Sequence, residues 1–217
     1  MKNLKQYIKE KLIINKDYHD NMIVVKSFGE LRKIIEDRYN TLGPGTEQDP
    51  INFNDIDVSN LDSFCNNEDI GIFEYTKFKY IDISDWDVSN IRSMRYMFFT
   101  CTELKSVVDI SNWDVSNVTD MKSMFFGCKS FNQDLSSWDV SNVTDMKSMF
   151  CGCKSFNQDL SSWDVSNVTD MSHMFQDCKS FNKDIHDWDV SNVKHFKHRS
   201  FMFDNCPIKE EYKPKFK

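Results

Sequence analysis

Glycine and proline are scarce in this 217-residue chain, with six and four copies. So few glycines exclude the Gly-rich nonapeptides that bind calcium in repeat proteins. Neither a phosphate loop nor a Gly-x-Ser-x-Gly elbow occurs. No apolar run approaches the ~18 residues of a membrane helix. The first fifteen residues carry lysines throughout, and their longest apolar run is Leu12-Ile13-Ile14. A secretory signal needs about 7–15 apolar residues, so the expected location is cytoplasmic, with no membrane insertion. A basic surplus is missing too. The formal charge is −7, which argues against nucleic acid as a partner. Seven cysteines, an odd number, make a poor disulfide framework and read as small buried hydrophobes.

Aromatic residues are plentiful: 18 Phe, seven Tyr and five Trp. All five tryptophans, Trp86, Trp113, Trp138, Trp163 and Trp188, open the same Trp-Asp-Val-Ser-Asn segment, at spacings of 27, 25, 25 and 25 residues. The stretches 113–137 and 138–162 differ at one position only, Phe126 against Cys151. A degenerate sixth copy starts at Ile56, and the last copy carries three extra residues before Met202 and Phe203. This is a tandem array. A catalytic site needs one unique constellation, whereas duplication offers the same side chains twice; the chain is expected not to be an enzyme and to need no cofactor.

Within a unit, Val118, Met121, Met124 and Phe125 follow the spacing of one helical face. Asn117 is then an N-cap, Asp120 sits at N3 and Gly127 ends the helix. The sequons at Asn117, Asn142 and Asn167 fall at these caps. Phe131-Asn132-Gln133-Asp134-Leu135 is too short for a helix and suits one brief strand. A 25-residue unit cannot bury enough apolar surface alone, so units must stack. Stacking places Trp86, Trp113, Trp138, Trp163 and Trp188 in one core column and Cys101, Cys128, Cys153, Cys178 and Cys206 in another.

Three motifs recur in register: Trp-Asp-Val-Ser-Asn-Val-Thr-Asp-Met, Met-Phe-x-x-Cys and Phe-Asn-x-Asp-Leu. Together they resemble the BspA-like repeat of bacterial surface proteins, a branch of the leucine-rich-repeat group, over residues 51–206. The resemblance implies an α/β solenoid of about six turns, each with a short parallel strand and a short helix. It also implies roles in adhesion or protein binding, with the strand face as the usual ligand surface. Members are often exported or lipoproteins, whereas this N-terminus shows neither a signal nor a lipobox cysteine.

The ends differ in kind. Residues 1–50 read as an α-rich cap or docking segment. Leu4, Ile8 and Leu12 face one way on a first helix. Met22–Val25 is a short β-branched run. Phe28, Leu31, Ile34 and Ile35 line a second helix ending near Thr41, broken by Gly43-Pro44-Gly45. Residues 207–217 read as a lysine-rich closing tail. Net charge is +1 over 1–50, −10 over 51–206 and +2 over 207–217. The acidic array suits a basic protein partner.

The candidate contact strip is Asn132, Gln133, Asp134, Asn157, Gln158, Asp159, Asn182, Lys183 and Asp184. The Asp of each Trp-Asp-Val-Ser (Asp87, Asp114, Asp139, Asp164, Asp189) is expected to accept turn hydrogen bonds from backbone amides. No metal is expected: Cys151 and Cys153 have no convincing partners in His173, His186, His195 and His198. Two other classes remain open: a structural spacer docked through residues 1–50, and a zinc-dependent enzyme.

Overall fold

A computed structural model describes residues 22–216 of the protein. The amphipathic stretch at Leu4, Ile8 and Leu12 lies outside the described residues. The elements in chain order are β1 (Ile23–Val24), α1 (Phe28–Leu42), β2 (Ile51–Asn52), β3 (Ile56–Asp57), β4 (Tyr80–Asp82) and β5 (Ser106–Val107). Two 3₁₀ turns, Phe196–His198 and Glu210–Tyr212, follow. β1 pairs parallel with β3, and β2, β4 and β5 form a parallel sheet in that order. The rest of the described chain is turns and irregular backbone around one long apolar core.

Helix α1 is the amphipathic segment expected at Phe28, Leu31, Ile34 and Ile35, and it is capped at Ser27. The Ser27 hydroxyl accepts from the Glu30 amide (3.3 Å), and the Glu30 carboxylate accepts from the Lys26 amide (2.7 Å), a reciprocal cap. Gly43 ends it at φ 78°, its N–H donating to the Tyr39 carbonyl; a left-handed φ costs glycine least. Leu31 and Ile35 are buried, and Tyr39 meets Phe78 edge-on at 5.0 Å. Arg38 holds Asp55 through two bonds (2.7 and 2.6 Å), and Arg32 donates to the carbonyls of Gly71, Ile72 and Glu74. The helix therefore lies over the first end of the core.

Successive units stack, each residue over its counterpart. Phe73, Phe98, Phe125, Phe150, Phe175 and Phe203 form one column of near-parallel rings with centroids 5.3–5.8 Å apart. Phe131, Phe156 and Phe181 form a second at 6.1 and 6.0 Å. Trp113 stacks on Trp138 at 6.3 Å and Trp163 on Trp188 at 6.4 Å. Each indole N–H donates to a carbonyl of the preceding unit: Trp86 to Phe53, Trp113 to Ile83, Trp138 to Ile110, Trp163 to Leu135 and Trp188 to Leu160. A buried indole N–H needs such a partner. The cysteine column behaves alike. Cys101, Cys128, Cys153, Cys178 and Cys206 point Sγ at the carbonyls of Phe73, Phe98, Phe125, Phe150 and Phe181 at 2.9–3.5 Å.

The helix expected in each unit does not form. Ser123, Ser148 and His173 have φ of 54–60°, which a right-handed helix cannot include. The amides of Met121, Ser123, Phe125 and Gly127 donate instead to Asp145, Lys147, Met149 and Cys151 of the next unit. Those of Met124, Phe126 and Cys128 close three-residue turns on Met121, Ser123 and Phe125. A turn period of three and a helix period of 3.6 bury the same residues over so short a run. Hence Val118, Met121, Met124 and Phe125 are buried as expected, in a different conformation. Asn117 is not a cap: its Nδ2 donates to the Ser89 carbonyl, as Asn142 does to Ser116 and Asn167 to Ser141.

A strand in every unit is also corrected. The strands β2, β4 and β5 have no strand counterpart in later units, whose main-chain bonds to one another run chiefly through 119–127 and its equivalents. At the equivalent place in later units the amides of Asn157, Asn182 and Lys209 donate to the side-chain Oδ1 of Asn132, Asn157 and Asn182 (2.8–3.0 Å). An asparagine ladder replaces the backbone ladder.

The last unit absorbs its three extra residues in the bulge around Phe196–His198, leaving Phe196 77% exposed. Beyond it, Ile208 is buried, Tyr212 and Phe216 pack on the core, and the Ile185 amide donates to the Tyr212 carbonyl. The tail folds over the second end.

Candidate functional site

Three columns of carboxylates run along the array, each with a different local chemistry. In the Trp-Asp-Val-Ser column, Asp57, Asp87, Asp114, Asp139, Asp164 and Asp189 each accept from the amide two residues on, at 2.9–3.1 Å. This is the turn role expected from the sequence. Hydrogen bonds from the side chains, then the amides, of Ser116, Ser141 and Ser166 hold Asp114, Asp139 and Asp164 below the ordinary carboxylate range. They are ionised at neutral pH.

The second column is Asp109, Asp134, Asp159 and Asp184, exposed and bonded to the amides of Ser111, Ser136, Ser161 and His186. Bonds from the amide and side chain of Ser161 lower Asp159, and those of His186 lower Asp184. His186 lies between Asp184 (2.8 Å) and Asp187 (2.9 Å), and its bond with Asp184 raises the imidazole above its ordinary value.

The third column, Asp120, Asp145 and Asp170, is half-buried and joined by isolated parallel bridges. Burial raises Asp120 and Asp145; the amides of Lys122 and Lys147 pull the other way, and the next carboxylate along adds to the rise. Arg95 stands at one end of this column, 3.2 Å from Asp120, and His198 at the other, 3.9 Å from Asp170.

The structure brings the nine strip residues together along one side, but much of their hydrogen bonding is internal. Asn132, Asn157 and Asn182 hold the next unit's amides. Gln133 reaches the Ser106 hydroxyl and the Val107 carbonyl, and Gln158 the Asn132 carbonyl. Lys183 is half-buried. What faces outward with oxygen atoms to spare is Asp134, Asp159 and Asp184.

All seven cysteines are free. Burial pushes the Cys101 thiol up to about 12 and Cys151 up to about 11, so both stay protonated. Among the described residues no group of three His, Cys, Asp or Glu could hold a metal ion, and no helix is long and apolar enough to cross a membrane. His195 and His198 meet edge-on at 5.4 Å.

The repeat column is also what comparison with known families detects. A family model described as Mycoplasma protein of unknown function, DUF285, matches residues 67–161 and again 105–212. The chain belongs to this family. The two matches overlap within the tandem array, as expected where DUF285 sequence recurs along one chain. Comparison with curated proteins and with solved structures found no match.

Sequence reasoning passed over the irregular first turn, where Asp62, Asn67, Asp69, Arg92 and Arg95 surround a cleft. The signal was there: after Phe64 the first copy departs from the repeat, reaching Ile72-Phe73 five residues later than the next copy reaches Met97-Phe98.

Proposed function

We propose that the stacked units are turns of a solenoid of the BspA-like leucine-rich-repeat kind, and that this member of the family is a non-enzymatic protein-binding module. The contact surface is the outward carboxylate row Asp134, Asp159 and Asp184, and the partner is a protein presenting a basic segment. One observation carries this reading. The row repeats at one-unit intervals, is exposed, and keeps ionised oxygens facing solvent, while the amides around it are already bonded within the array. Repetition suits an extended ligand that gains a contact from each unit it crosses.

The test is Asp134→Asn, Asp159→Asn and Asp184→Asn combined, compared with wild type for capture of partner from host extract and for thermal unfolding. Capture should fall several-fold and become insensitive to salt, with the unfolding midpoint nearly unchanged. Equal capture by both proteins sinks the proposal.

A spacer role docked through residues 1–50 is the second reading, favoured by the near-identity of 113–137 and 138–162. Deleting 138–162 should then shorten the array and leave binding intact. Loss of binding on that deletion favours the strip.

A further inference from the structure

Along the regular units the aspartate, asparagine and threonine side chains are tied to their own turn or to the neighbouring unit. The first turn breaks that habit. The inserted loop is closed by an antiparallel bridge between Cys65 and Gly71. It is held rigid by Asn66, whose Oδ1 accepts from the amides of Glu68 (3.0 Å) and Ile70 (2.9 Å) and whose own amide donates to the Ile70 carbonyl. The loop places Asp69 2.6 Å from Arg95, which also lies 3.2 Å from Asp120. Asp120 and Asp69 outweigh burial and hold the guanidinium above its ordinary value. Its Nε is buried, and although Asp120 is near, no acceptor lies in hydrogen-bond geometry.

Between this loop and the next unit lies a cleft of about 570 Å³, lined by Asp62, Asn67, Asp69, Arg92, Arg95 and Asp120 together with Ser63, Cys65, Asn66, Ser93 and Thr119. Among the described residues, the side chains of Asp62, Asn67 and Arg92 form no hydrogen bond or ion pair. The lining has no aliphatic or aromatic side chain, which excludes an apolar ligand. Three carboxylates against two guanidiniums exclude an anion such as phosphate. The two guanidiniums among those carboxylates disfavour a cation. The main-chain groups nearby are already bonded, Phe64 N–H to Ser93, Arg92 to Asp62 and Thr119 to Arg92, so a ligand here is held by side chains.

We infer that this cleft binds a neutral saccharide. Each sugar hydroxyl both donates and accepts; carboxylates accept, guanidiniums donate and the Asn67 amide does both. The Arg95–Asp69–Asp120 floor is preformed, so little ordering is lost on binding. The site is separate from the strip at Asp134, Asp159 and Asp184.

Saturation-transfer NMR on the full chain tests this with glucose, galactose, N-acetylglucosamine and their β-linked disaccharides, with a Gly-Ser-Asn-Gln peptide in parallel and inorganic phosphate followed by 31P line broadening. At least one saccharide should receive transfer. Arg92→Ala with Asn67→Ala should weaken it at least about tenfold, the scale of a lost charged hydrogen bond. Asp62→Asn should weaken it as well, and the Asp134/Asp159/Asp184 triple variant should bind like wild type. The three cleft side chains hold nothing else in place, so these variants should unfold at the wild-type midpoint. Absence of saccharide transfer, transfer indifferent to the cleft variants, or binding of phosphate or peptide in place of sugar would each overturn the inference.

Discussion

Residues 51–107 and residues 113–187 both join their units by main-chain bonds, but they differ at the position of the short strands. In the first region Ile51, Ile81 and Val107 are buried residues of parallel strands, and the main chain itself forms the ladder. In the second, Asn132, Asn157 and Asn182 stand at that place and their side chains accept the amides. Threonine does something similar elsewhere in the unit. Thr144 donates both its amide and its hydroxyl to the Thr119 carbonyl, and Thr169 does the same to Thr144. The asparagine ladder needs an acceptor side chain at one position per unit, and its last rung is given by the Lys209 amide. The first region also carries the insertion and the cleft that the regular units lack.

The comparison breaks first at the core. Trp138→Ala removes an indole stacked on Trp113 and its bond to the Ile110 carbonyl. The expected loss is about 4 kcal/mol, read from urea unfolding by tryptophan fluorescence and by circular dichroism together. Coincident curves would mean that both regions share one cooperative core. Two separate transitions, with only one shifted, would mean that they are independent.

The next largest effect separates the regions by glycine. A Cβ on Gly71 would fall 1.9 Å from the Tyr96 carbonyl oxygen, with backbone on both sides of the clash. Gly71→Ala should cost about 3 kcal/mol. A Cβ on Gly152 would meet nothing closer than 3.5 Å, but the φ there is +76°; Gly152→Ala should cost about 1 kcal/mol. Equal losses would mean that the close approach at Gly71 relaxes away.

Much of this arrangement was legible in the sequence. The tryptophan and cysteine columns follow from the period alone, since stacked units must superpose equal residues. The second helix was legible from its apolar face at Phe28, Leu31, Ile34 and Ile35 and from the break at Gly43-Pro44-Gly45, while its Ser27 cap was not read. The per-unit helix was misread because Val118, Met121, Met124 and Phe125 satisfy a three-residue turn repeat as well as a helix. Only backbone signs such as φ 54° at Ser123 separate the two, and serine carries no mark of that. The asparagine ladder escaped notice because Asn132 and Asn157 read equally well as exposed contact residues. The first-turn cleft was hidden because a search for repetition discards what does not repeat.

A smaller effect probes that asparagine ladder. Asn157→Ala leaves the Asn182 amide without its acceptor and should cost about 1 kcal/mol, while Asn157→Asp keeps the acceptor and should cost less. If Asn157 serves only a ligand, both variants will unfold like wild type and differ only in capture.

The smallest effect sets two acidic columns of one unit against each other by pH. Burial first, and then the Asp170 carboxylate, raise Asp145 against the bond from the Lys147 amide; side-chain and amide bonds from Ser141 lower Asp139. For Asp145 the folded chain binds more protons than the unfolded chain between the ordinary value and the raised one, so its contribution to stability falls as pH rises through that window. Asp145→Asn keeps an acceptor for the Lys147 amide and removes the charge. It should unfold at higher urea than wild type at pH 7, with the gain shrinking to nothing near pH 4, where the wild-type carboxyl is becoming protonated in both states. Asp139→Asn should do the reverse. The stability given by a lowered carboxylate is present above the ordinary value and is lost as pH falls through the folded one. This variant should therefore be slightly weaker than wild type at pH 7 and equal to it only once pH has fallen below the lowered folded value of Asp139. If both variants shift in the same direction at pH 7, burial does not distinguish the two columns, and the half-buried row is as well solvated as the exposed one.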